Sequence, residues 1–385
     1  MNYFLTEEQQ MVKDLAAKIA AEKAVPLVAE LDEKEEFPWE VMKTLASSDL
    51  FGVYLPEEYG GFGGGVLELC LVTEELSKVC CGMGVCYAAS ALGTLPILLF
   101  GNDAQKQKYL PDIAAGKKLA AFGLTEANAG SDAASVATTA VRDGDFYVLN
   151  GTKQWITNAG EAEVYTVIAL TDKAKGIRGA SAFIVEKGTP GFSFGKKEKK
   201  MGIRCSATRE LIFQDCRIPK ENIIAREGMG FIVAMKTLDR ARPGVASQGV
   251  GLAQGALDHA VKYSRERVQF GQAISSFQAI QHMLADMATQ TEAARALTYA
   301  AARMIDSGDD NISKEAAMSK LFATDVCMRV TTDVVQIFGG YGYMREYPVE
   351  KMMRDAKILQ IYEGTNQIQR NVIGLALIKE SAKKR

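Results

Sequence analysis

The side chains able to do chemistry are unevenly supplied in this 385-residue chain. Only two histidines occur, His259 and His282, each inside a helix-like stretch, so a histidine-based metal centre or a Ser-His-Asp triad has poor support. The cysteines number seven, an odd count, and Cys80, Cys81 and Cys86 lack paired C-x-x-C spacing. They read as buried thiols, not as a disulfide framework or a metal site. Thr125, Gly130 and Ser131 lie in a loop whose small residues and hydroxyls let backbone donors approach a phosphate or a flat ring, though the segment alone reads as a plain Gly/Ser loop. Asp239 and Arg242 stand three apart in a helical stretch and read alone as a surface ion pair. Arg267 offers a planar fork suited to phosphate oxygens, and Glu363 precedes Gly364 in a turn; taken alone, both are ordinary surface residues. Gly60, Gly61, Gly63, Gly64 and Gly65 do not make a G-x-G-x-x-G turn after a strand and read as a flexible inter-helix loop. The basic run 196–200 reads as a solvated loop.

Three kinds of element must position these residues. Residues 1–118 read as helical: Thr6 and Gln9 are spaced as a capping box, Val12, Leu15, Ala16 and Ile19 share one helix face, and Pro26 interrupts the pattern. Over 119–232 the period shortens. The β-rich runs Phe146–Leu149, Tyr165–Ile168 and Ala182–Val185 alternate with turn signals at Asp143-Gly144, Asn150-Gly151 and Thr189-Pro190-Gly191. Over 233–385 long helical patterns return, with Phe231–Arg267, Phe277–Ser307 and Ser313–Phe338 predicted as helices of an antiparallel bundle. The expected class is α+β: an N-terminal helical domain, a middle antiparallel β domain and a C-terminal four-helix bundle. There is no Rossmann alternation or fingerprint.

The composition is that of a globular protein. Hydrophobic residues make up 48%, charged residues 24%, and the formal net charge of -2 offers no general attraction to nucleic acid or an anionic membrane. The first ten residues lack the regions of a signal peptide, and the most apolar stretch, Leu92–Phe100, is far below the ~20 residues that span a bilayer. A cytoplasmic location is the expectation.

Seven segments carry a family resemblance across essentially the whole chain: 124–132, 155–158, 201–206, 267–271, 336–342, 353–357 and, the closest match, Ile361-Tyr-Glu-Gly-Thr-Asn-Gln-Ile-Gln-Arg370. In order and spacing they resemble the acyl-CoA dehydrogenases, especially the short- and medium-chain members. The resemblance implies FAD as cofactor and Glu363 as the base that takes the thioester α-proton while flavin N5 takes the β-hydride. It further implies that Thr125, Gly130, Ser131, Trp155 and Thr157 contact the flavin, with Ser131 also near substrate. Arg267, Phe270, Gln336 and Gly340 match residues that reach a neighbouring subunit's FAD, and Thr365 and Gln367 match residues directed at FAD. Asp239, Arg242, Tyr362 and Gly364 match the acyl-CoA side. Some branches carry the base at the position of Ala241, which alanine cannot serve, leaving Glu363. Ala127-Asn128 stands where the family commonly has Pro-Gly, which puts that loop's geometry in question.

The implied function is dehydrogenation of an acyl-CoA to a 2-enoyl-CoA, with electrons passed to an electron-transferring flavoprotein, in a homotetramer built as a dimer of dimers. The alternatives are the enoyl-CoA reductase direction, an acyl-CoA oxidase, or a non-catalytic flavin or acyl-CoA binder; retention of Glu363 argues against the last. Residues 87–93 match the floor of the acyl pocket and carry small side chains and no cation. They leave the acyl group open among short, medium, branched, alicyclic and aryl-substituted.

Overall fold

The computed structural model describes residues 3–383. Its first part is helical: α1 (Glu7–Ile19), α2 (Val28–Lys34), α3 (Trp39–Ser47), α4 (Val66–Val79), α5 (Cys81–Phe100) and α6 (Asp103–Ala114). Helix α1 starts at the expected capping box, with the Gln9 N–H donating to Thr6 Oγ1 at 3.2 Å and the Thr6 N–H to Gln9 Oε1 at 3.0 Å. Its regular winding ends at Ile19, followed by a π turn and a 3-10 turn that contains Pro26.

Two expectations need correction here. The glycine cluster before α4 is closely packed, not a flexible loop: a Cβ on Gly61 would stand 2.1 Å from the Leu55 carbonyl oxygen, and one on Gly64 2.3 Å from that of Val53. The Val66 and Leu67 N–H groups that begin α4 donate to the Asp306 carboxylate at 2.7 and 2.9 Å. Gly61 and Gly64 are there because backbones meet, Gly65 makes room for the Asp306 carboxylate, and the helix start already has its anion. The second correction concerns length. Helix α5 runs 20 residues at a mean hydropathy of 1.7, long and apolar enough to cross a membrane, because Cys, Ala and Gly residues upstream of Leu92 extend the run. In this fold most of it is buried within the protein.

The middle of the chain forms one eight-stranded sheet: β1 (Ala120–Gly123), β2 (Thr139–Asp143), β3 (Phe146–Thr157), β4 (Val164–Leu170), β5 (Ala180–Glu186), β6 (Phe192–Phe194), β7 (Thr208–Pro219) and β8 (Ile223–Ile224). The order is β6-β7-β3-β2-β4-β5-β8, with β1 beside β4. Pairing is antiparallel at β2/β3, β3/β7, β4/β5, β5/β8 and β6/β7; β1 and a single residue pair of β2 run parallel to β4. The three β-rich runs fall in β3, β4 and β5 as expected. Asn150-Gly151 is not a turn: it lies inside β3 at a register shift against β7, with Gly151 at φ +144°. A Cβ there would meet Thr138 Oγ1 at 2.6 Å, so glycine marks a bulge under a close neighbour.

The last part comprises α7 (Gly230–Glu266), a short hairpin of β9 (Val268–Gln269) and β10 (Gln272–Ala273), then α8 (Gln278–Asp306), α9 (Ser313–Phe338), α10 (Val349–Leu359) and α11 (Asn366–Lys383). Helices α7, α8, α9 and α11 form the C-terminal bundle, and α7 also lies along α4 and α5. Helix α5 joins two cores: Tyr87 and Ala91 pack with the N-terminal helices and the sheet, whereas Cys81 and Val85 pack with Leu252, Val326, Val330 and Met352. That junction is where the cavity opens.

Candidate active site

A cavity of about 370 Å³ lies among α5, the sheet, α7 and the α10–α11 connection. Its sheet-side lining includes Thr125, Gly130, Ser131, Trp155, Ile156 and Thr157. Arg242 and Gln248 of α7 line it together with Tyr362, Glu363 and Gly364. Val85, Ala89 and Leu92 of α5 and Phe231, Met235 and Leu238 of α7 supply apolar surface.

Buried polar groups hold the sheet-side loop. Lys153 has no exposed surface and donates to the Leu124 carbonyl at 3.1 Å and to Glu126 Oε1 at 2.6 Å. The Glu126 carboxylate also accepts the Ala137 and Thr138 N–H groups at 2.7 and 3.0 Å, closing the loop that carries Gly130 and Ser131. Ala127-Asn128 forms a tight turn, with paired backbone bonds between Glu126 and Ala129 at 3.0 and 3.2 Å. Trp155 sits at a register shift of β3 with φ +57°, which turns its indole out of the sheet's packing and leaves it 56% exposed. It is no core tryptophan.

The Glu363 loop is held as firmly. Glu363 and Gly364 have φ of +52° and +89°, a left-handed pair that costs free energy at the non-glycine position. Gln369 Nε2 donates to the Glu363 and Gly364 carbonyls at 3.2 and 2.9 Å, and a Cβ on residue 364 would meet that nitrogen at 2.6 Å. Lys320 Nζ, from α9, donates to the Gly364 carbonyl at 2.8 Å and to Asn366 Oδ1 at 2.9 Å. The Tyr362 hydroxyl donates to Gln248. Although Glu363 keeps part of its surface on the cavity, its Oε2 is shut from solvent and has no hydrogen-bond partner. Burial pushes its pKa up to about 7, against the pull of Lys320 and Arg242.

Arg242 and Asp239 are buried, contrary to the surface-pair reading: Nη1 donates to Asp239 Oδ1 at 2.6 Å, and the Ser313 hydroxyl donates to Oδ2. Arg242 reaches the cavity; Asp239 stands behind it, outside the lining. Thr365 and Gln367 are also outside: Thr365 Oγ1 accepts the Ile368 N–H at 3.2 Å at the start of α11, and Gln367 is exposed. Arg267 and Gly340 line a separate open groove with Tyr263, Tyr341 and Met344, where the Arg267 guanidinium lies 5.1 Å from the centre of the Tyr341 ring. Phe270 is 93% exposed and, like Gln336 on α9, lines neither space. The chain thus gathers Thr125, Gly130, Ser131, Trp155, Thr157, Arg242, Tyr362, Glu363 and Gly364 into one cavity and leaves the other candidates apart.

Lys320, Gln369, Asn366 and Gln248 escaped sequence reading. Lys320 had a signal: it interrupts a face of α9 made of Ala316, Ala317, Ser319 and Ala323. Among the described residues no group of three or more side chains is arranged to hold a metal, and all seven cysteines are free and buried.

The lining fits the ring system of FAD. A partly exposed indole at a positive-φ bulge, threonines on either side of it and open space at Gly130, where an added Cβ meets nothing within 4 Å, suit a flat ring with polar edges. The unpartnered Glu363 carboxylate borders the same cavity.

The chain is similar to known proteins along its length. Three family models match in series: acyl-CoA dehydrogenase N-terminal domain over residues 6–117, middle domain over 121–216 and C-terminal domain over 228–378. The solved structure of butyryl-CoA dehydrogenase from Megasphaera elsdenii is 50% identical, with a TM-score of 0.96, covering 98% of this chain and 100% of that one. A chain from a structural study of the electron transferring flavoprotein of Acidaminococcus fermentans, directed at flavin-based electron bifurcation, is 54% identical with a TM-score of 0.96 over 98% and 99% of the two chains. Acryloyl-CoA reductase (NADH) of Anaerotignum propionicum is 48% identical over 98% of this chain and 96% of its own.

Proposed function

The chain belongs to the acyl-CoA dehydrogenase family, FAD-dependent enzymes that desaturate acyl-CoA thioesters, and on that premise we propose that it oxidises a short-chain acyl-CoA with Glu363 as base. The observation that carries the assignment is the Glu363 carboxylate: buried at the cavity, unpartnered at Oε2 and poised near neutrality. A base that must take a weakly acidic α-proton and later release it works best with a pKa near the working pH. FAD, when bound, accepts the β-hydride. Among the described residues the Glu363 N–H has no acceptor, which leaves it free to donate to the thioester carbonyl as negative charge develops there. Thr125, Ser131, Trp155 and Thr157 hold the flavin in this reading, and the side chains of α5 and α7 exclude water from the acyl chain.

The short-chain assignment draws on the similarity to the butyryl-CoA enzyme. The Acidaminococcus relative supports an electron-transferring flavoprotein as acceptor. A homotetramer accounts for the exposed Phe270, Tyr343 and Met344 beside Arg267, and a second subunit's FAD accounts for Arg267 itself. The acryloyl-CoA reductase supports a second reading, in which the same residues run enoyl-CoA reduction and Glu363 returns the proton. Anaerobic mixing with butyryl-CoA tests the first: the flavin band of the wild type bleaches and that of Glu363→Gln does not. Bleaching of the variant at a rate within about tenfold of wild type would refute the base. Faster reoxidation of the reduced enzyme by crotonyl-CoA than by electron-transferring flavoprotein would favour the second direction.

A further inference from the structure

Lys320 is a lysine with no exposed surface, and among the described residues no carboxylate lies within ion-pair reach of its ammonium. A charge placed so is costly unless its hydrogen bonds are used well. Two of them go to the catalytic loop, to the Gly364 carbonyl and to Asn366 Oδ1. Asn366 is fixed in turn: its amide donates to Thr324 Oγ1 at 2.9 Å and to Asp325 Oδ1 at 2.7 Å, both on α9, and its N–H donates to the Gln360 carbonyl at 3.0 Å, closing the loop. The left-handed Glu363-Gly364 pair is therefore clamped from two elements, by Gln369 of α11 and Lys320 of α9.

We propose that Lys320 is the positioning residue of the Glu363 base, holding the loop through the Gly364 carbonyl and favouring the ionised carboxylate with its charge. The proposal rests on Glu363 being the base. The charged and titratable groups facing Glu363 are Lys320, Arg242 of α7 and the adjoining Tyr362; those facing Lys320 are Glu363, Arg242 and Asp325. Arg242 is already engaged by Asp239, so Lys320 is the cation without an ion pair of its own, and Glu363 is the opposite charge that acts on it most strongly. Burial draws the ammonium down to about 7, where the Glu363 carboxylate titrates as well, so the two ionisations are linked.

The experiment is the pH profile of kcat/KM for butyryl-CoA with full-length, FAD-loaded Lys320→Gln, Lys320→Arg and wild type. Lys320→Gln keeps a donor for the Gly364 carbonyl and removes the charge. Its acid limb should move up by on the order of one pH unit, with kcat at pH 7 down by about fivefold, recovery toward pH 9 and KM within about threefold. Lys320→Arg should restore the limb to within about 0.3 unit of wild type, since the charge returns. An unmoved limb in FAD-saturated Lys320→Gln, or the same upward shift in Lys320→Arg, would overturn the proposal. If Lys320→Gln yields no flavoprotein, Lys320→Met takes its place: it removes the donor as well as the charge, so the limb should move up by the same amount and kcat should stay below wild type even at pH 9, and an unmoved limb would overturn the proposal. Asn366→Ala keeps the charge and loosens the loop; it should lower kcat without moving the limb, and an unchanged kcat would remove the positioning role. Glu363→Gln runs in parallel. If it retains turnover the base assignment fails, whatever Lys320 does; if it loses turnover while the Lys320→Gln limb stays, only this inference falls.

Discussion

The cavity around Glu363 and the groove around Arg267 are built in opposite ways. At the cavity the strained loop has its carbonyls capped by Lys320 and Gln369. At the groove Arg267 lies over Tyr341, while Phe270 is 93%, Tyr343 79% and Met344 48% exposed. The loop of the first region is held by hydrogen bonds from its own chain; the second presents the kind of exposed aromatic surface that marks an interaction site. Chemistry that depends on proton position needs a rigid, dry setting, which a single fold supplies. Cofactor anchoring can be shared, because a phosphate contact tolerates assembly from two surfaces.

Four measurements would break or sharpen that contrast. The largest effect is expected inside the cavity: Glu363→Gln should lose about 100- to 10,000-fold in flavin reduction rate while keeping FAD and acyl-CoA binding, read by anaerobic stopped-flow absorbance. Alanine at 241 leaves no carboxylate at the α7 position where some branches of the family carry the base. The next concerns the apolar lining. Glutaryl-CoA should be turned over at least about 100-fold less efficiently than butyryl-CoA, because Val85, Ala89, Leu92, Phe231, Met235 and Leu238 offer a distal carboxylate no cation, and an unpaired buried charge costs several kcal/mol. Comparable kcat/KM values would show that a charged group reaches the acyl end.

At the groove the effect should be smaller and of another kind. Arg267→Ala should weaken FAD retention by about 10- to 100-fold, the worth of one charged hydrogen bond, and leave the reduction rate of FAD-saturated protein near wild type. A normal flavin content after dilution and gel filtration would detach Arg267 from the cofactor. The smallest effect is on stability. The folded protein holds the Glu363 proton up to a pH of about 7, whereas the unfolded chain releases it near the ordinary value of 4.5. Ionisation therefore opposes folding, with a penalty that is absent below pH 4.5, grows toward 7 and is full above it. Glu363→Gln should melt a few degrees higher than wild type at pH 8 and at the same temperature near pH 4.5, a difference of at most about 3 kcal/mol. An equal melting point at pH 8 would mean that the carboxylate is better solvated than its surroundings suggest.

How much was legible beforehand depended on the kind of signal. The helix spans 230–266, 278–306 and 313–338 fall almost where apolar spacing placed them, because amphipathic periodicity is local. Glu363, Gly364, Thr125 and Trp155 were found because they sit in short motifs with a recognisable order. Lys320 was missed because it lies in no such motif; Gln369 lies inside the 361–370 motif but carries no sign of its role there, since the importance of both comes from which carbonyl each reaches. Gly151 was misassigned because a glycine at a strand bulge and a glycine at a turn look alike in one dimension; only Thr138 packed beneath it distinguishes them. Asp239 reads as a surface partner of Arg242 from helix spacing, and becomes buried because α9 brings Ser313 onto it.

The sequence by itself determined the order of helical, β and helical parts, the family, its cofactor and the identity of the candidate base, since composition, periodicity and motif order are properties of the chain alone. Only the tertiary structure decided that nine of the candidates share one cavity, that Asp239, Thr365 and Gln367 do not, and that Glu363 is poised near neutrality. The physical reason is that a pKa and a strained backbone are set by burial and by charges from distant segments: Lys320 stands 43 positions and Arg242 121 positions before Glu363, and no local pattern encodes those approaches.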